Sequence, residues 1–504
     1  MENDRDLNTD SAVQVGDITS DEINRLILRM LDEDDPDVTH ICIDDRDRGE
    51  YDLDEASFYL YCYRNIRELN VIAHLIGSST RVVDLSLNGG LFFGIGHMQP
   101  FFRELARNRT IHTIRIGLHA LNQTGATYFR MLTPFLKNNH NLTQIVIDEC
   151  ELGDDGCRLL SSALNCVSKS LTIIEISNCD ITDDQSVDII SSLAAHPQLE
   201  SIYLHSNSIG AAGCNELATL IQCSATNLQV LNLCFNPIGD EGIKALAAAF
   251  RTSNSLTCLY MCHNFIGTEG IEALVDALKE CKSFRELTIT ESFTMRGIRA
   301  ISTLAEGPHP PIEEIHMFIN PPDSEIIDQT LLLFTNALAN NNTLRILALS
   351  AGDINCSESS WDLLSNLLCD TSTVNATYCS NHTLRVVASN CPEELEALFV
   401  LNRSLDVDEI AIAKILQSHS DISMQPFFQW NFKMLPYAIG WLQRAEDIQD
   451  ENATLIDEDI SARKLSTIYQ FIRGMPNEYI RARSIDIVAH SNKRLRSGVV
   501  KKYE

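Results

Sequence analysis

The sequence predicts an α/β solenoid, a right-handed β-α superhelix with a curved parallel sheet inside, helices outside and a helical C-terminal cap. Three observations predict this fold. A short phrase recurs at successive spacings of 28 to 32 residues and finally 40, each copy contains a strand-like alternation, and most copies precede a helical stripe. We expect an acidic disordered start with a capping helix over 1–37, the solenoid over 38–392, and a helical cap with a basic end over 393–504.

The repeated phrase is clearest where it begins at Leu199, Leu228 and Leu256. All three copies read L-x-x-L-x-L-x-x-N-x-I. The other frames begin at Val82, Ile111, Leu142, Leu171, Phe284, Ile312, Leu344 and, more weakly, Leu384, and an earlier first turn begins at Val38. Such regular self-similarity is the signature of a repeat architecture.

Each part of the phrase has a physical reason. The L-x-L alternation has period two, so it predicts a short strand with one apolar face. The Asn at the ninth position suits a tight turn, because its amide satisfies backbone groups that the sheet does not reach. It is Asn207, Asn236 and Asn264 in the clearest copies, and Cys150 and Cys179 replace it in two others.

The segment after the turn predicts a helix. Copies such as Ile238-Gly-Asp-Glu-Gly242 place glycines where the chain swings into the helix, and acids such as Asp154, Asp240 and Glu269 near a positive helix N-terminus. Apolar residues then follow at helical spacing, for example Ile243, Leu246, Ala247 and Phe250. No single unit covers its own apolar face, so neighbouring units must stack.

A unit of 28 to 29 residues with the pattern LxxLxLxxNxIGxxG resembles the ribonuclease-inhibitor-like (RNI-like) leucine-rich repeat proteins. That class also includes the Ran GTPase-activating protein and the sensor ends of NOD-like receptors. The resemblance covers about 38–392 and implies a surface that binds other proteins. The phrase PFFxWxxKxLPxxxxW over 426–441 also looks like the C-terminal end of uncharacterised leucine-rich repeat proteins from unicellular algae.

Charge and composition exclude several classes of protein. The net charge is −30, and residues 1–55 alone carry −14, so nucleic acid is a poor partner. No apolar run is long enough to cross a membrane, and the acidic start is unlike a signal peptide. The sixteen cysteines therefore indicate reduced thiols in a cytoplasmic protein, with the nucleus as an alternative location.

Three common nucleotide-binding and catalytic motifs are absent from the sequence. It contains no G-x-x-x-x-G-K-[ST], no G-x-S-x-G and no H-E-x-x-H. We therefore predict no enzymatic activity and no cofactor. A Ran-type GTPase-activating protein stays as the alternative because the fold resemblance allows it, although the basic end over 481–504 replaces the acidic tail of such proteins.

The repeat frame identifies side chains on the concave face, namely those at positions three, five and seven, with position eight at the rim. The predicted partner-binding residues are Tyr203, His205, Asn232, Phe235, Tyr260, His263, His316 and Phe318. Exposed aromatic residues on a rigid surface are typical of binding hot spots. His205, Cys234, Cys262 and His263 also offer zinc-ligand types. Their spacing is that of the repeat itself, which favours chance placement, so we predict no metal site.

The same positions predict the charge of the partner. Asp84, Asp148, Glu175, Glu286 and Glu314 are acidic, against Arg115 as the clear base. A neutral or basic protein surface is therefore the expected ligand. Together, the sequence predicts a non-enzymatic protein-protein interaction scaffold that binds its partner on the concave face.

Overall fold

The computed structural model describes residues 20–44, 59–62, 66–88, 98–117, 125–167, 169–223, 227–306, 312–319, 324–349, 356–385, 387, 391–404 and 407–419. The chain forms two compact units, Met1–Asp323 with Ala348–Ala351, and Ser324–Leu347 with Gly352–Glu504. The predicted domain boundaries at 37/38 and 392/393 stay predictions. The predicted disordered start lies outside the described residues.

The first unit alternates strands with helices. Its strands are β1 (His40–Asp44), β2 (Tyr59–Cys62), β3 (Asp84–Asn88), β4 (Thr113–Gly117), β5 (Gln144–Asp148), β6 (Ile173–Ser177), β7 (Ser201–Tyr203), β8 (Val230–Asn232), β9 (Cys258–Cys262), β10 (Glu286–Glu291) and β11 (Glu314–Ile319). Its helices are α1 (Ser20–Asp32), α2 (Ile66–Ser78), α3 (Gln99–Leu105), α4 (Gly125–Asn138), α5 (Gly153–Leu164), α6 (Asp183–Leu193), α7 (Ala211–Gln222), α8 (Gly239–Phe250), α9 (Thr268–Glu280) and α10 (Met295–Ser302). Strand β1 and strands β3 to β11 each begin two residues after a predicted frame start.

The eleven strands form one parallel sheet, which confirms the predicted fold class. Strands β3 to β11 lie side by side in chain order, and β1 pairs with β3 at the other end. Strand β2 pairs with the outer side of β1, as Ile41 opposite Tyr59 shows. The repeat did not predict β2. Because β-α-β crossovers are almost always right-handed, helices that join parallel neighbours in chain order all lie on one face of the sheet.

The hydrophobic core lies between that face and the helices. Position four of successive frames is in register across β7, β8 and β9, where Ile202, Leu231 and Leu259 are all fully buried. The predicted helical stripe is confirmed, because Leu246 and Phe250 of α8 are also fully buried. The leucine and isoleucine repeat therefore builds the core as predicted.

The ninth-position asparagines join consecutive repeats. The Asn207 Nδ2 donates to the Ile176 carbonyl at 2.8 Å, while its Oδ1 accepts the N–H groups of Cys179 and Ile181 at 3.1 and 3.2 Å. The Cys179 thiol occupies the same position one repeat earlier and donates to the Ser177 carbonyl at 3.1 Å. These contacts confirm the predicted turn role of Asn and of its Cys replacement.

The acids at the helix starts bond forward into the next repeat. The Asp240 Oδ1 of α8 accepts the N–H of Gly267 at 2.6 Å and that of Gly270 at 3.2 Å, at the start of α9. A side chain at Gly270 would place its Cβ 2.5 Å from the same oxygen. Glycine is therefore required at this position by a close approach. The negative charge of Asp240 stabilises the N-terminus of the following helix as well as that of its own.

The described part of the second unit is mainly helical. It contains α11 (Ser324–Leu338), α12 (Glu358–Leu368), α13 (Val374–Tyr378), α14 (Glu393–Ser404) and α15 (Val407–Ser418), and β12 (Ile346–Ala348) ends at the division between the units. Helices α14 and α15 lie in the segment for which the sequence predicts a helical cap. The rest of that predicted cap from residue 420 onward, including the phrase over 426–441, lies outside the described residues. None of the described helices combines the length and apolar character needed to cross a membrane.

A fully buried lysine of α15 contacts the end of α12 and the segment that follows α13. The Lys414 Nζ of α15 lies 2.7 Å from the Leu368 carbonyl, 2.9 Å from the Asn381 carbonyl and 3.2 Å from the His382 Nδ1. Burial lowers the pKa of Lys414 to about 7. Burial, and then the charge of Lys414, lower the pKa of His382 to about 4.

We expect the second unit to become more stable as the pH rises above 7. The folded unit holds Lys414 with its pKa near 7, whereas the unfolded chain binds the proton up to the ordinary lysine pKa of 10.5. Between these values the unfolded state binds more protons, so the free energy of unfolding rises with pH, by about 2 kcal/mol between pH 7 and pH 9. Urea unfolding followed by tryptophan fluorescence measures this, because Trp361 lies on α12 of the second unit and residues 1–323 contain no tryptophan.

Lys414→Met is the matched variant. It retains every other titrating group, so the difference between the two stability curves isolates Lys414. Between pH 7 and pH 9, the free energy of unfolding is expected to rise by about 2 kcal/mol less in the variant than in the wild-type protein. Equal slopes in both proteins would show that Lys414 keeps an ordinary pKa in the folded unit.

Candidate protein-binding surface

The open face of the sheet consists of the side chains at frame positions three, five and seven of β3 to β11. These side chains alternate with the fully buried ones, and most are half-buried. In β9, for example, Cys258, Tyr260 and Cys262 are half-buried while Leu259 and Met261 are fully buried. The helices cover the opposite face, so the open face is the side of the sheet that is available to a ligand.

Four of the predicted contact residues lie in one row across the open face. Tyr203 is opposite Asn232, and Asn232 is opposite Tyr260, in the register of β7, β8 and β9. Thr288 of β10 separates Tyr260 from His316 of β11. Because neighbouring strands are about 4.8 Å apart, the row spans roughly 20 Å. The structure thus brings these four side chains together, and their role in binding stays a prediction.

Position seven forms a second row, which includes His205 and Phe318. The His205 Nδ1 lies 2.9 Å from the hydroxyl oxygen of Ser177, a residue of the preceding strand. Phe318 is half-buried on β11, two strands beyond Cys262. Cys234 lies between His205 and Cys262 in chain order. Both predicted contacts therefore border the tyrosine row on the same face.

Two predicted contacts form a stacked pair at the rim. The rings of Phe235 and His263 lie 4.7 Å apart with an interplanar angle of 26°. Phe235 is 54% exposed, and both residues have left-handed backbones, with φ of 58° and 56°. The same eighth position is left-handed in three earlier repeats, at Glu149, Asn178 and Ser206. The turn of the repeat therefore fixes this conformation, and it directs two aromatic rings outward where these three earlier repeats carry polar side chains.

Phe265 is a candidate contact that the frame did not predict. It follows the turn of the same repeat, is 79% exposed and has φ of 56°. A left-handed backbone is costly for a bulky residue. The buried carboxylate of Glu291 holds the turn, because it accepts the N–H groups of Asn264, Phe265 and Ile266. Burial, the largest influence, raises the pKa of Glu291.

Sequence signals for Phe265 and Glu291 exist at positions that the repeated phrase leaves unspecified. Position ten carries Asp180, Ser208 and Pro237 in the three preceding repeats, so a phenylalanine there is unusual within this chain. Glu291 precedes Ser292, which replaces the ninth-position asparagine. The acid therefore takes over the backbone contacts that the asparagine makes elsewhere.

The open face carries a surplus of acidic side chains. Within the described strands β3 to β11, its one arginine is Arg115, whose Nη1 lies 2.5 and 2.6 Å from the two carboxylate oxygens of Asp84. That charge is compensated inside the protein. The remaining acids of the face are Asp148, Glu175, Glu286 and Glu314. Burial raises the pKa of Glu175, and the neighbouring His205 opposes that shift.

Two of these acids meet at one end of the tyrosine row. Glu286 and Glu314 are opposite each other on β10 and β11, and the His316 Nε2 lies 3.3 Å from the Glu314 Oε2. One carboxylate oxygen of each acid and one imidazole nitrogen all lie within 4.8 Å of one another. Burial, and then a hydrogen bond with Glu286, raise the pKa of Tyr260. This acidic pair is suited to a cationic side chain that approaches the sheet.

The four zinc-ligand candidates considered from the sequence do not form such a group. His205, Cys234, Cys262 and His263 are all described, yet their ligand atoms do not converge as those of Glu286, Glu314 and His316 do. The reason lies in the side-chain directions. His205 turns to Ser177, and the ring of His263 stacks on Phe235. Cys234 and Cys262 contact each other.

The parallel sheet, the outer helices and the asparagine turns define an α/β leucine-rich repeat solenoid. A family model described as "Leucine Rich repeat" matches residues 138–161, 224–247 and 252–275. These three segments contain β5, β8 and β9 and most of the helices that follow them.

Three curated relatives illustrate the similarity. The mouse "NACHT, LRR and PYD domains-containing protein 14" is 30% identical over 155 residues, which are 30% of this chain and 15% of the relative. The bovine "NACHT, LRR and PYD domains-containing protein 3" is 29% identical over 25% of this chain and 12% of the relative. The mouse "Ribonuclease inhibitor" is 28% identical over 28% of this chain and 31% of the relative. The chain thus spans less than a third of the length of each, and the similarity supports an RNI-like leucine-rich repeat protein.

Proposed function

We propose that this protein is a non-enzymatic scaffold that binds a partner protein on the open face of its first unit. The observation that carries the proposal is the row of Tyr203, Asn232, Tyr260 and His316, bordered at its rim by the stacked Phe235 and His263. Aromatic side chains on a rigid support bind with little loss of conformational freedom. The strand register supplies that support. We also propose a cytoplasmic location.

The charge of the open face favours a basic partner. The acidic pair Glu286 and Glu314 lies beside Tyr260 in the sheet register. A carboxylate pair receives an arginine or lysine side chain, and a tyrosine ring beside it stacks on a guanidinium. Long-range attraction to a chain of net charge −30 increases the rate of encounter with such a partner. We therefore expect a partner segment in which arginine alternates with apolar residues.

The relatives are compatible with a protein ligand. Ribonuclease inhibitor is, by its name, a protein that acts on another protein. The similarity covers 28% of this chain, so the relative's ligand is not carried over. The Ran-type GTPase-activating protein stays the alternative function, and none of the three relatives reported above bears that name.

The double variant Tyr203→Ala with Tyr260→Ala tests the proposal. Hot-spot aromatic residues contribute about 2 kcal/mol each, so we expect partner affinity to fall by at least about 100-fold. Partners are first captured from native extract with the wild-type protein. The Kd of a purified partner is then measured for both proteins by isothermal titration calorimetry.

The matched control is Tyr378→Ala, which removes a half-buried tyrosine from α13 of the other unit. We expect it to leave the affinity unchanged. Circular dichroism and thermal unfolding verify that each variant is folded. If the double variant binds the partner as tightly as the wild-type protein does, the tyrosine row is not the binding site.

A further inference from the structure

Two cysteines face each other on adjacent repeats of the first unit. The N–H of Leu233 donates to the Tyr260 carbonyl at 2.9 Å, and that of Phe235 donates to the Cys262 carbonyl at 2.7 Å. These bonds continue the parallel ladder beyond β8 and align Cys234 with Cys262. Neighbouring strands are about 4.8 Å apart, which lies within the roughly 4.4–6.8 Å between Cα atoms that a disulfide spans.

The two sulfur atoms are linked through hydrogen bonds. The backbone N–H of Cys262 donates to the Cys234 Sγ at 3.1 Å, and the Thr290 hydroxyl donates to the Cys262 Sγ at 3.2 Å. The Cys234 thiol also donates to the Cys262 sulfur. Cys262 is therefore the acceptor of two donors, whereas Cys234 provides the proton between the sulfurs.

These donors make Cys262 the more acidic thiol. The hydrogen bond from Cys234 lowers the pKa of Cys262 to about 7, although burial opposes the shift. The same bond, followed by burial, raises the pKa of Cys234. Elsewhere burial, together with nearby carboxylates, has the opposite effect and raises the pKa of Cys157 and Cys214 to about 12. Thiolates are the reactive form of cysteine, so the pair differs in chemistry from the buried cysteines of the core.

We propose that Cys234 and Cys262 are an oxidisable dithiol that a peroxide converts to an intramolecular disulfide. The Cys262 thiolate attacks one peroxide oxygen, the O–O bond breaks, and Cys262 becomes a sulfenic acid. The departing hydroxide takes up the proton that Cys262 released on ionisation and leaves as the first water. The Cys234 sulfur then attacks the Cys262 sulfur. The S–S bond forms, the S–O bond breaks, and the hydroxide takes the Cys234 proton to leave as the second water. The peroxide is reduced by two electrons, and the two thiols lose two hydrogen atoms.

The position of the pair makes this chemistry accessible. Cys234 and Cys262 are both half-buried on the open face. The exposed ring of Phe235 follows Cys234 directly, and His263 follows Cys262. The proposal does not depend on any partner protein, because the oxidation is measured on the purified chain.

The test treats the fully reduced, full-length protein with equimolar hydrogen peroxide near pH 7, blocks the remaining thiols and maps them by peptide mass spectrometry. We expect a linked Cys234–Cys262 peptide pair lighter by two hydrogen atoms, which dithiothreitol restores to thiols. In a pH series, alkylation of Cys262 is expected to show a midpoint near 7. At pH 7 it is expected to react at least about fivefold faster than Cys258, because more thiolate outweighs its lower nucleophilicity.

Two variants sharpen the test. Cys234→Ser removes the resolving thiol, so oxidation stops at a sulfenic acid on Cys262 that dimedone traps. Cys258→Ser changes a half-buried cysteine on the same strand and face, and the Cys234–Cys262 disulfide is expected to form as in the wild-type protein. Circular dichroism establishes that both variants are folded.

Two results would overturn the proposal, and both come from the wild-type protein. One is oxidation of the exposed Cys166, Cys223 or Cys379 while Cys262 stays reduced. The other is an alkylation midpoint of Cys262 no lower than that of Cys258. Either result shows that the paired sulfurs have no special reactivity, whatever the outcome of the partner-binding experiments.

Discussion

Replacement of Asn236 by alanine is expected to lower the free energy of unfolding by about 3–5 kcal/mol, because each buried polar group left unpaired costs about 1–3 kcal/mol. Asn236 is 1% exposed. Its Nδ2 donates to the carbonyls of Leu204 and Leu233 at 2.9 and 3.0 Å, and its Oδ1 accepts the N–H of Ile209 at 3.0 Å. Alanine removes the partner of the Ile209 N–H and of the Leu233 carbonyl, on both sides of a junction between repeats, whereas the Leu204 carbonyl keeps the Asn207 Nδ2 at 3.1 Å.

The loss of stability in Asn236→Ala is expected to be concentrated at one junction between repeats. Repeat proteins are stabilised mainly by contacts between neighbouring repeats, so a broken junction near the middle separates the halves of the first unit. Urea unfolding followed by far-UV circular dichroism should therefore show a broader or two-step transition for Asn236→Ala. A single transition at the wild-type midpoint would mean that the asparagine contacts contribute little.

Two further variants calibrate this result. Asn236→Cys introduces the residue that occupies the same position at Cys150 and Cys179, where the thiol donates to backbone carbonyls. A thiol is a weak acceptor for the Ile209 N–H, so an intermediate loss is expected. Asn232→Ala removes a half-buried asparagine from the open face, whose Oδ1 accepts the Cys234 N–H at 3.0 Å. We expect it to cost less than about 1 kcal/mol.

The sequence predicted the repeated part of the fold because each repeat is an independent observation of the same unit. Ten strands begin two residues after a frame start, and the Asn and Cys turn residues make the expected backbone contacts. Strand β2 was missed because it lies between two frames and pairs with the outer side of β1. The segment that forms β2 contains no copy of the repeated phrase, so the repeat gave no indication that it pairs with β1.

The frame also predicted which side chains share the open face, but not how they contact one another. The strand register places Cys234 beside Cys262. The hydrogen bond between their thiols depends on side-chain rotamers, which the spacing of residues in the sequence does not determine. The same holds for His205, which turns to Ser177 and away from the predicted row of zinc-ligand types. A side-chain cluster is therefore less predictable than the strand that carries it.

Departures from the repeat were the hardest to interpret. Glu291 stands one position before the expected asparagine and still accepts the backbone N–H groups of the preceding turn. Phe265 lies at a position that the phrase leaves unspecified. Within a repeat, such departures mark the places where this chain differs from a generic solenoid, so they are the first candidates for a specific role.

Phe265→Gly is expected to weaken partner binding by at least about 30-fold, the equivalent of one hot-spot side chain of about 2 kcal/mol. The same change is expected to leave the protein at least as stable as the wild type. A left-handed backbone costs a non-glycine residue about 1–2 kcal/mol, and the extra freedom of glycine in the unfolded chain offsets roughly half of that gain. Phe265 is 79% exposed, so removal of its ring loses little buried apolar surface.

A variant that is at least as stable as the wild-type protein but binds the partner more weakly would identify Phe265 as a residue retained for binding. Asp180→Gly is the matched control, because Asp180 occupies the same turn position in an earlier repeat with φ of 52°. It is expected to be as stable as the wild-type protein and to bind the partner with unchanged affinity. The measurements are urea unfolding and calorimetric titration of both variants with the same purified partner. If Phe265→Gly binds as Asp180→Gly does, the rim at Phe265 lies outside the interface, and the left-handed phenylalanine is a strain that binding does not explain.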